Sequence, residues 1–140
     1  MAKSVLILED SATQAIIIGK MFERAGYNPV FTTDPSGAVS ALKTQAFDLL
    51  VLDVYTPAGD TLEHLDIYRG MAPQTPIAIM TAGRREDPLA ASAALNRARR
   101  AKVDFLLPKP FHYDDVLQIC QDTARIAAGR ASGAPASLFL

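Results

Sequence analysis

Short apolar runs that stop on a carboxylate recur along this chain, and they limit its fold more than any other feature. The clearest lies at residues 47–53, where Leu49, Leu50, Val51 and Leu52 run unbroken into Asp53. An apolar run too short for a helix and closed by a charge reads as a strand buried on both faces, as in a parallel sheet. Asp53 then stands at the strand's carboxyl end, the edge where ligands collect in open α/β sheets. Residues 5–8 repeat the pattern and end on Glu9 and Asp10. Taken alone, Asp53 reads better as a solvated residue starting a loop; the rest of the chain decides between the two.

Helical signals separate these strands. Ser11 or Thr13 can cap a helix running to Arg24, with Gly26 as its stop. A weaker strand follows at 29–32. Asp34-Pro35 supplies a cap and a first-turn proline for a helix through Ala38 and Leu42. After the Asp53 strand come a loop with Pro57 and Gly59, and a helix over 62–69. Pro76 introduces a strand over 77–80 that ends at Thr81-Ala82-Gly83. Asp87-Pro88 opens an alanine-rich helix to about Lys102. A fifth strand spans 103–107, closed by Pro108-Lys109-Pro110, and a last helix covers 113–127. Five β and five α units in alternation predict an α/β fold with a doubly wound five-stranded parallel sheet. The 140 residues suit one domain, 1–128. The Ala, Gly, Ser and Pro of 129–140 read as a disordered tail.

Composition narrows the class. At 49% hydrophobic and 21% charged residues the chain can fill a core. No apolar run nears the ~20 residues of a membrane span, and the N-terminal apolar segment is too short for a signal peptide, so a cytoplasmic protein is expected. Cys120 is the single cysteine, which excludes an internal disulfide, and its apolar neighbours suggest a buried thiol. A net charge of -1 gives no overall pull toward nucleic acid. His64 and His112 lack a supporting ligand set and read as surface residues.

Polar groups converge at the strand ends: Glu9 and Asp10 after the first, Asp53 after the third, Thr81 after the fourth, Lys109 after the fifth. Three carboxylates placed together repel unless a cation sits among them, and hard oxygen ligands suit Mg²⁺. A lysine and a hydroxyl at the same edge can hold phosphoryl oxygens. Asp53 is therefore the candidate to accept phosphate as an acyl phosphate, with Mg²⁺ and Lys109 neutralising the developing charge. The small Ala82 leaves room for phosphate to enter.

This arrangement resembles the CheY-like receiver domain of response regulators, with the flavodoxin-like (βα)5 fold. The resemblance rests on Glu9-Asp10, Asp53 with Pro57 four residues on, Thr81-Ala82 and Lys109-Pro110-Phe111, and spans residues 5–127. It implies a cis Lys109–Pro110 bond, the Tyr55 carbonyl as a metal ligand beside Glu9, Asp10 and Asp53, and a non-enzymatic, monomeric single-domain regulator acting by protein contact. A histidine kinase is its expected phosphate source. Two departures stand out. The family's switch aromatic, three residues before the lysine, is Leu106 here, with Phe105 one further back, so the segment reads as one residue long. The stretch from Thr81 to Lys109 also exceeds the family norm.

That longer stretch is rich in arginine: Arg84, Arg85, Arg97, Arg99 and Arg100 are five of the chain's nine. On a helical wheel Ala91, Ala94, Leu95, Ala98 and Ala101 share the sheet-facing side. Ser92, Asn96, Arg99 and Arg100 point away, and Arg97 flanks them. A solvated basic face would be equally served by lysine. Arginine's flat fork instead suits phosphate and the O6/N7 edge of guanine. Asp87, also a good helix cap, can accept the guanine N1 and N2 hydrogens. Arg84, Arg85 and Asp87 with Asn96, Arg97 and Arg100 resemble the arginine-rich segment of the Cle subfamily of CheY-like effectors. That resemblance implies cyclic di-GMP as ligand and the flagellar motor switch protein as partner. A handful of contacts at about 1–3 kcal/mol each is compatible with roughly micromolar affinity.

Overall fold

A computed structural model describes residues 3–81 and 88–131, the side chains of Pro88, Ala90, Ala91 and Ala131 apart. Strands β1 (Lys3–Leu8), β2 (Tyr27–Thr32), β3 (Leu49–Asp53), β6 (Ile77–Thr81) and β7 (Phe105–Pro108) form a parallel sheet in the order β2-β1-β3-β6-β7. A two-stranded antiparallel hairpin, β4 (Tyr55–Thr56) and β5 (Gly59–Asp60), follows β3 directly. Helices α1 (Ala12–Arg24) and α5 (Tyr113–Ala131) cover one face, and α2 (Pro35–Thr44), α3 (Leu65–Met71) and α4 (Pro88–Arg100) the other. The sheet and its two helical layers are those expected of a doubly wound α/β chain.

Successive strand side chains alternate between the two layers. Val5, Ile7, Leu49, Val51, Ala78, Met80 and Leu107 pack with Ile18 and Phe22 of α1 and Val116 and Ile119 of α5. Leu6, Leu8, Leu50, Leu52, Ile77 and Ile79 pack with Ala38, Leu65, Tyr68 and Ala98 of α2, α3 and α4. Both faces of β3 are buried, which is why its sequence is an unbroken apolar run. Cys120 is buried among the α1 and α5 side chains, and burial pushes its thiol up to about 11.

Several boundaries differ from the sequence expectation. β2 begins at Tyr27, two residues early, because Tyr27 pairs with Lys3 and is buried despite the following Pro29. The helix expected over 62–69 is a 3-10 turn over Thr61–His64, capped by the Asp60 side chain, and then α3. β7 starts at Phe105 because Lys102 takes a positive φ of 58° and turns the chain out of α4. α5 runs past its expected end at Ala127 to Ala131, taking Gly129 and Arg130 from the expected tail. Residues 132–140 lie outside the described ones.

Tertiary contacts hold that last turn. Arg130 donates to the Gln74 carbonyl at 3.0 Å and to the Asp104 carboxylate at 3.1 Å, while Asp104 also accepts the Ile77 amide at 2.9 Å. One guanidinium thus ties α5 to the entry of β6 and β7. Arg130→Ala should lower stability by about 1–2 kcal/mol, a fall of roughly 3–8 °C in a thermal melt.

Candidate functional site

The carboxyl edge of the sheet gathers what the sequence places at its strand ends. β3 delivers Asp53, 8% exposed, and β1 delivers Glu9, 2% exposed, with the exposed Asp10 beside it. Oxygens of Glu9, Asp10 and Asp53 all lie within 4.8 Å of one another. Lys109 reaches in from the loop after β7, across a cis Lys109–Pro110 bond as the resemblance implied. Its Nζ donates to Glu9 Oε2 at 2.7 Å, to Asp53 Oδ2 at 3.2 Å and to Gln14 Oε1 at 3.1 Å.

Charge balance here is incomplete. Burial pushes the Asp53 carboxyl up to about 7; Lys109 opposes that shift and Glu9 adds to it. Burial pulls the Lys109 ammonium down, but Glu9 and Asp53 together outweigh it and leave the group above its ordinary value. A buried carboxylate that still leans toward its neutral form has room for a further cation. The Thr81 hydroxyl, 1% exposed, has no hydrogen-bond partner among the described residues. The Lys109 amide bonds the Thr81 carbonyl at 3.0 Å, so the two residues are locked side by side. Three hard carboxylates, an ammonium and an orphaned hydroxyl fit Mg²⁺ and a phosphoryl group.

An open cleft of about 670 Å³ leads to these groups. Its far wall is apolar, with Ile17 and Met21 of α1 and Phe111 after the cis proline. Tyr55, two residues beyond Asp53, starts the hairpin at the cleft's rim and is half exposed.

The switch-aromatic position is resolved by strand parity. Leu106 packs against the α2, α3 and α4 layer, whereas Phe105 packs on the α1 and α5 side. The aromatic therefore faces away from α4.

The arginine segment divides. Arg84, Arg85 and Asp87 lie outside the described residues. On α4, Ala94 and Ala98 are buried against the sheet and Ser92, Asn96, Arg99 and Arg100 are exposed, as the wheel required. Arg97 behaves differently from its neighbours. It forms an ion pair with Asp60 and donates to the Tyr55 hydroxyl at 3.1 Å. That bond to Asp60 holds its guanidinium above the ordinary range. Sequence reasoning missed four residues: Gln14 on Lys109, Asp60 on Arg97, Thr61 on the Asp53 carbonyl, and Arg69, which donates to the carbonyls of Ala101 and Lys102 after α4. Only the Asp60 cap left a local signal, an acid before Thr61 and Leu62; the others depend on packing.

Fold and site define a doubly wound α/β domain with a lysine-bridged acidic pocket at its carboxyl edge. A family model described as the response regulator receiver domain matches residues 5–121, and the chain belongs to that family. It carries a CheY-like receiver domain, the module of two-component signalling. It is 30% identical over 129 residues to the swarming motility regulation protein RssB of Serratia marcescens, covering 92% of this chain and 56% of that protein. It is 29% identical over 133 residues to the response regulator protein FleR of Pseudomonas aeruginosa, covering 95% and 26%. The chain thus spans about half, or less, of these relatives. Among solved structures, the chemotaxis protein CheY4 of Vibrio cholerae matches with a TM-score of 0.72 at 21% identity, over 88% of this chain and 99% of that one. The receiver domain of the sensor histidine kinase PA1611 of Pseudomonas aeruginosa, solved with magnesium in its active site cleft, matches with a TM-score of 0.73 at 21% identity, over 91% and 99%. Among the described residues no helix is long and apolar enough to cross a membrane.

Proposed function

We propose that the chain is a phosphoryl-accepting regulator acting by protein contact, with Asp53 as acceptor, Lys109 and Thr81 as its phosphoryl-oxygen partners, and Mg²⁺ held by Glu9, Asp10, Asp53 and the Tyr55 carbonyl. The observation that carries this reading is the Lys109 bridge between Glu9 and Asp53 inside a three-carboxylate cluster. Bound Mg²⁺ supplies charge neutralisation at the transferring group. Glu9 and Asp53 hold Lys109 pointed inward, and the buried Thr81 hydroxyl, without a partner among the described residues, can donate to an incoming oxygen. The apolar wall formed by Ile17, Met21 and Phe111 suits a histidine kinase helix laid beside the pocket.

A second input completes the proposal: cyclic di-GMP on the α4 side. Asn96, Arg99 and Arg100 share an exposed helix face, and Arg84, Arg85 and Asp87 precede it in sequence. Asn96 and Arg100, one turn apart, can grip one nucleotide. Arg97 is already engaged by Asp60 and joins this set less readily. The flagellar motor switch is the proposed partner, and the name of the swarming regulator among the relatives is consistent with a motility role. Calorimetric titration of the full chain should give roughly micromolar cyclic di-GMP binding that weakens with salt. Arg84→Ala and Asp87→Ala should each reduce it by at least ~10-fold, as loss of a bidentate contact does. Unchanged affinity in both variants would leave the receiver without its nucleotide input. In that case partner binding should respond to beryllofluoride alone.

A further inference from the structure

We propose that Arg97 is a positioning residue of the Asp53 site, clamping from α4 the hairpin that carries Tyr55 and Asp60. This deepens the reading of the pocket as an Mg²⁺ and phosphoryl site and rests on it. Tyr55 and Asp60 are cross-strand partners in the β4–β5 hairpin, so one planar guanidinium grips both strands at the same rung. Arginine's fork suits that double contact, and a lysine's single point of charge does not.

The contact continues inward without a break. Asp60 uses both its oxygens: Oδ2 takes Arg97, and Oδ1 accepts the Leu62 amide at 2.9 Å. The next residue, Thr61, is 4% exposed, and its hydroxyl donates to the carbonyl of Asp53 itself at 2.5 Å. The Thr61 amide bonds the Val54 carbonyl at 2.8 Å, and the Val54 amide bonds Met80 of β6 at 2.9 Å. Arg97 is thus linked by hydrogen bonds and backbone to the end of β3.

A surface ion pair contributes only ~0–1 kcal/mol, and this one need be no stronger to matter. The hairpin has two residues per strand, and Gly59, which opens the second, sits at φ +132°. So small a ribbon has marginal stability of its own. A modest external hold then sets how much of the time the turn beside Asp53 keeps the shape a cation needs. Arg97 is therefore assigned to the acceptor pocket, although its helix presents the remaining arginines to solvent.

Mg²⁺ titration of the full chain by calorimetry, paired with amide hydrogen exchange, tests the assignment. Arg97→Ala and Asp60→Asn, the latter keeping the Oδ1 cap, should each weaken Mg²⁺ binding roughly three- to tenfold, at or below the usual effect of losing an outer-shell support. Both should speed exchange over residues 54–61. Arg125→Ala, on the far surface of α5, should change neither. Wild-type Mg²⁺ affinity in both clamp variants overturns the proposal, whatever the exchange rates. A wild-type chain that takes up no Mg²⁺ overturns the reading of the pocket, and the clamp's role with it.

Discussion

Replacing Lys109 by methionine should lower the stability of the metal-free chain by about 2–4 kcal/mol at pH 8, toward the lower end of what breaking a buried ion pair costs. Lys109 is the only cation on Glu9 and Asp53 among the described residues, and both carboxylates are largely shielded from water. Removing the ammonium leaves two like charges facing each other in low dielectric. The deficit depends on pH with a definite sign. Asp53 already leans toward protonation because of burial, and losing Lys109 strengthens that tendency. As pH falls to about 7 and below, the variant relieves the repulsion by taking up a proton, so its deficit shrinks toward pH 5. Mg²⁺ should restore much of the loss at pH 8, since it offers the same neutralisation. Thermal melts at pH 5 and pH 8, with and without Mg²⁺, read all three effects. A deficit that is equal at both pH values would show that Lys109 acts through packing alone.

Asp53→Asn should move the other way and stabilise the metal-free chain at pH 8. The Asp53 carboxyl sits at about 7 in the fold against 3.8 when unperturbed, chiefly through burial. A folded value above the unfolded one means that the native state holds the extra proton between these limits. Stability from this group is therefore complete below about pH 4 and is lost as pH rises through about 7. Asparagine stays neutral and escapes that loss. At about 1.4 kcal/mol per pKa unit and allowing for solvent at the pocket mouth, the gain at pH 8 is about 2–4 kcal/mol. That is roughly 5–15 °C in the melt, fading toward pH 4. The same variant should lose most of the stabilisation that Mg²⁺ gives the parent chain, and should take no label from acetyl phosphate. A metal-free Asp53→Asn chain that melts no higher than the parent at pH 8 would refute strain at Asp53.

Opposite signs at two residues 3.2 Å apart follow from one imbalance, three carboxylates around a single ammonium. That imbalance favours uptake of a further cation, at some expense to the resting fold.

Periodicity carried much of this architecture. The buried strands show in sequence because both faces of a central parallel strand must be apolar, and the acids that end them needed no tertiary information. Asp34-Pro35 and Ser11 marked helix starts through local hydrogen bonding, and both caps form. Ala94 and Ala98 followed from the wheel because small residues alone fit a helix close to a sheet. Long-range pairing lay beyond that reach. The wheel set Arg97 at the flank of the exposed face, but nothing local supplies its partner; its role depends on Asp60, 37 residues away. Gln14 finds Lys109 over 95 residues, and Arg130 extends α5 only because Asp104 and Gln74 wait where two other elements meet. Parity sent Phe105 to the α1 side and left Leu106 facing α4, a choice that strand register alone makes. Local chemistry set the elements and the chemical identity of the pocket, since those depend on neighbours a few residues apart. Which arginine serves the pocket and which face the solvent was decided by the folded chain, where a guanidinium and a carboxylate distant in sequence come within a hydrogen bond.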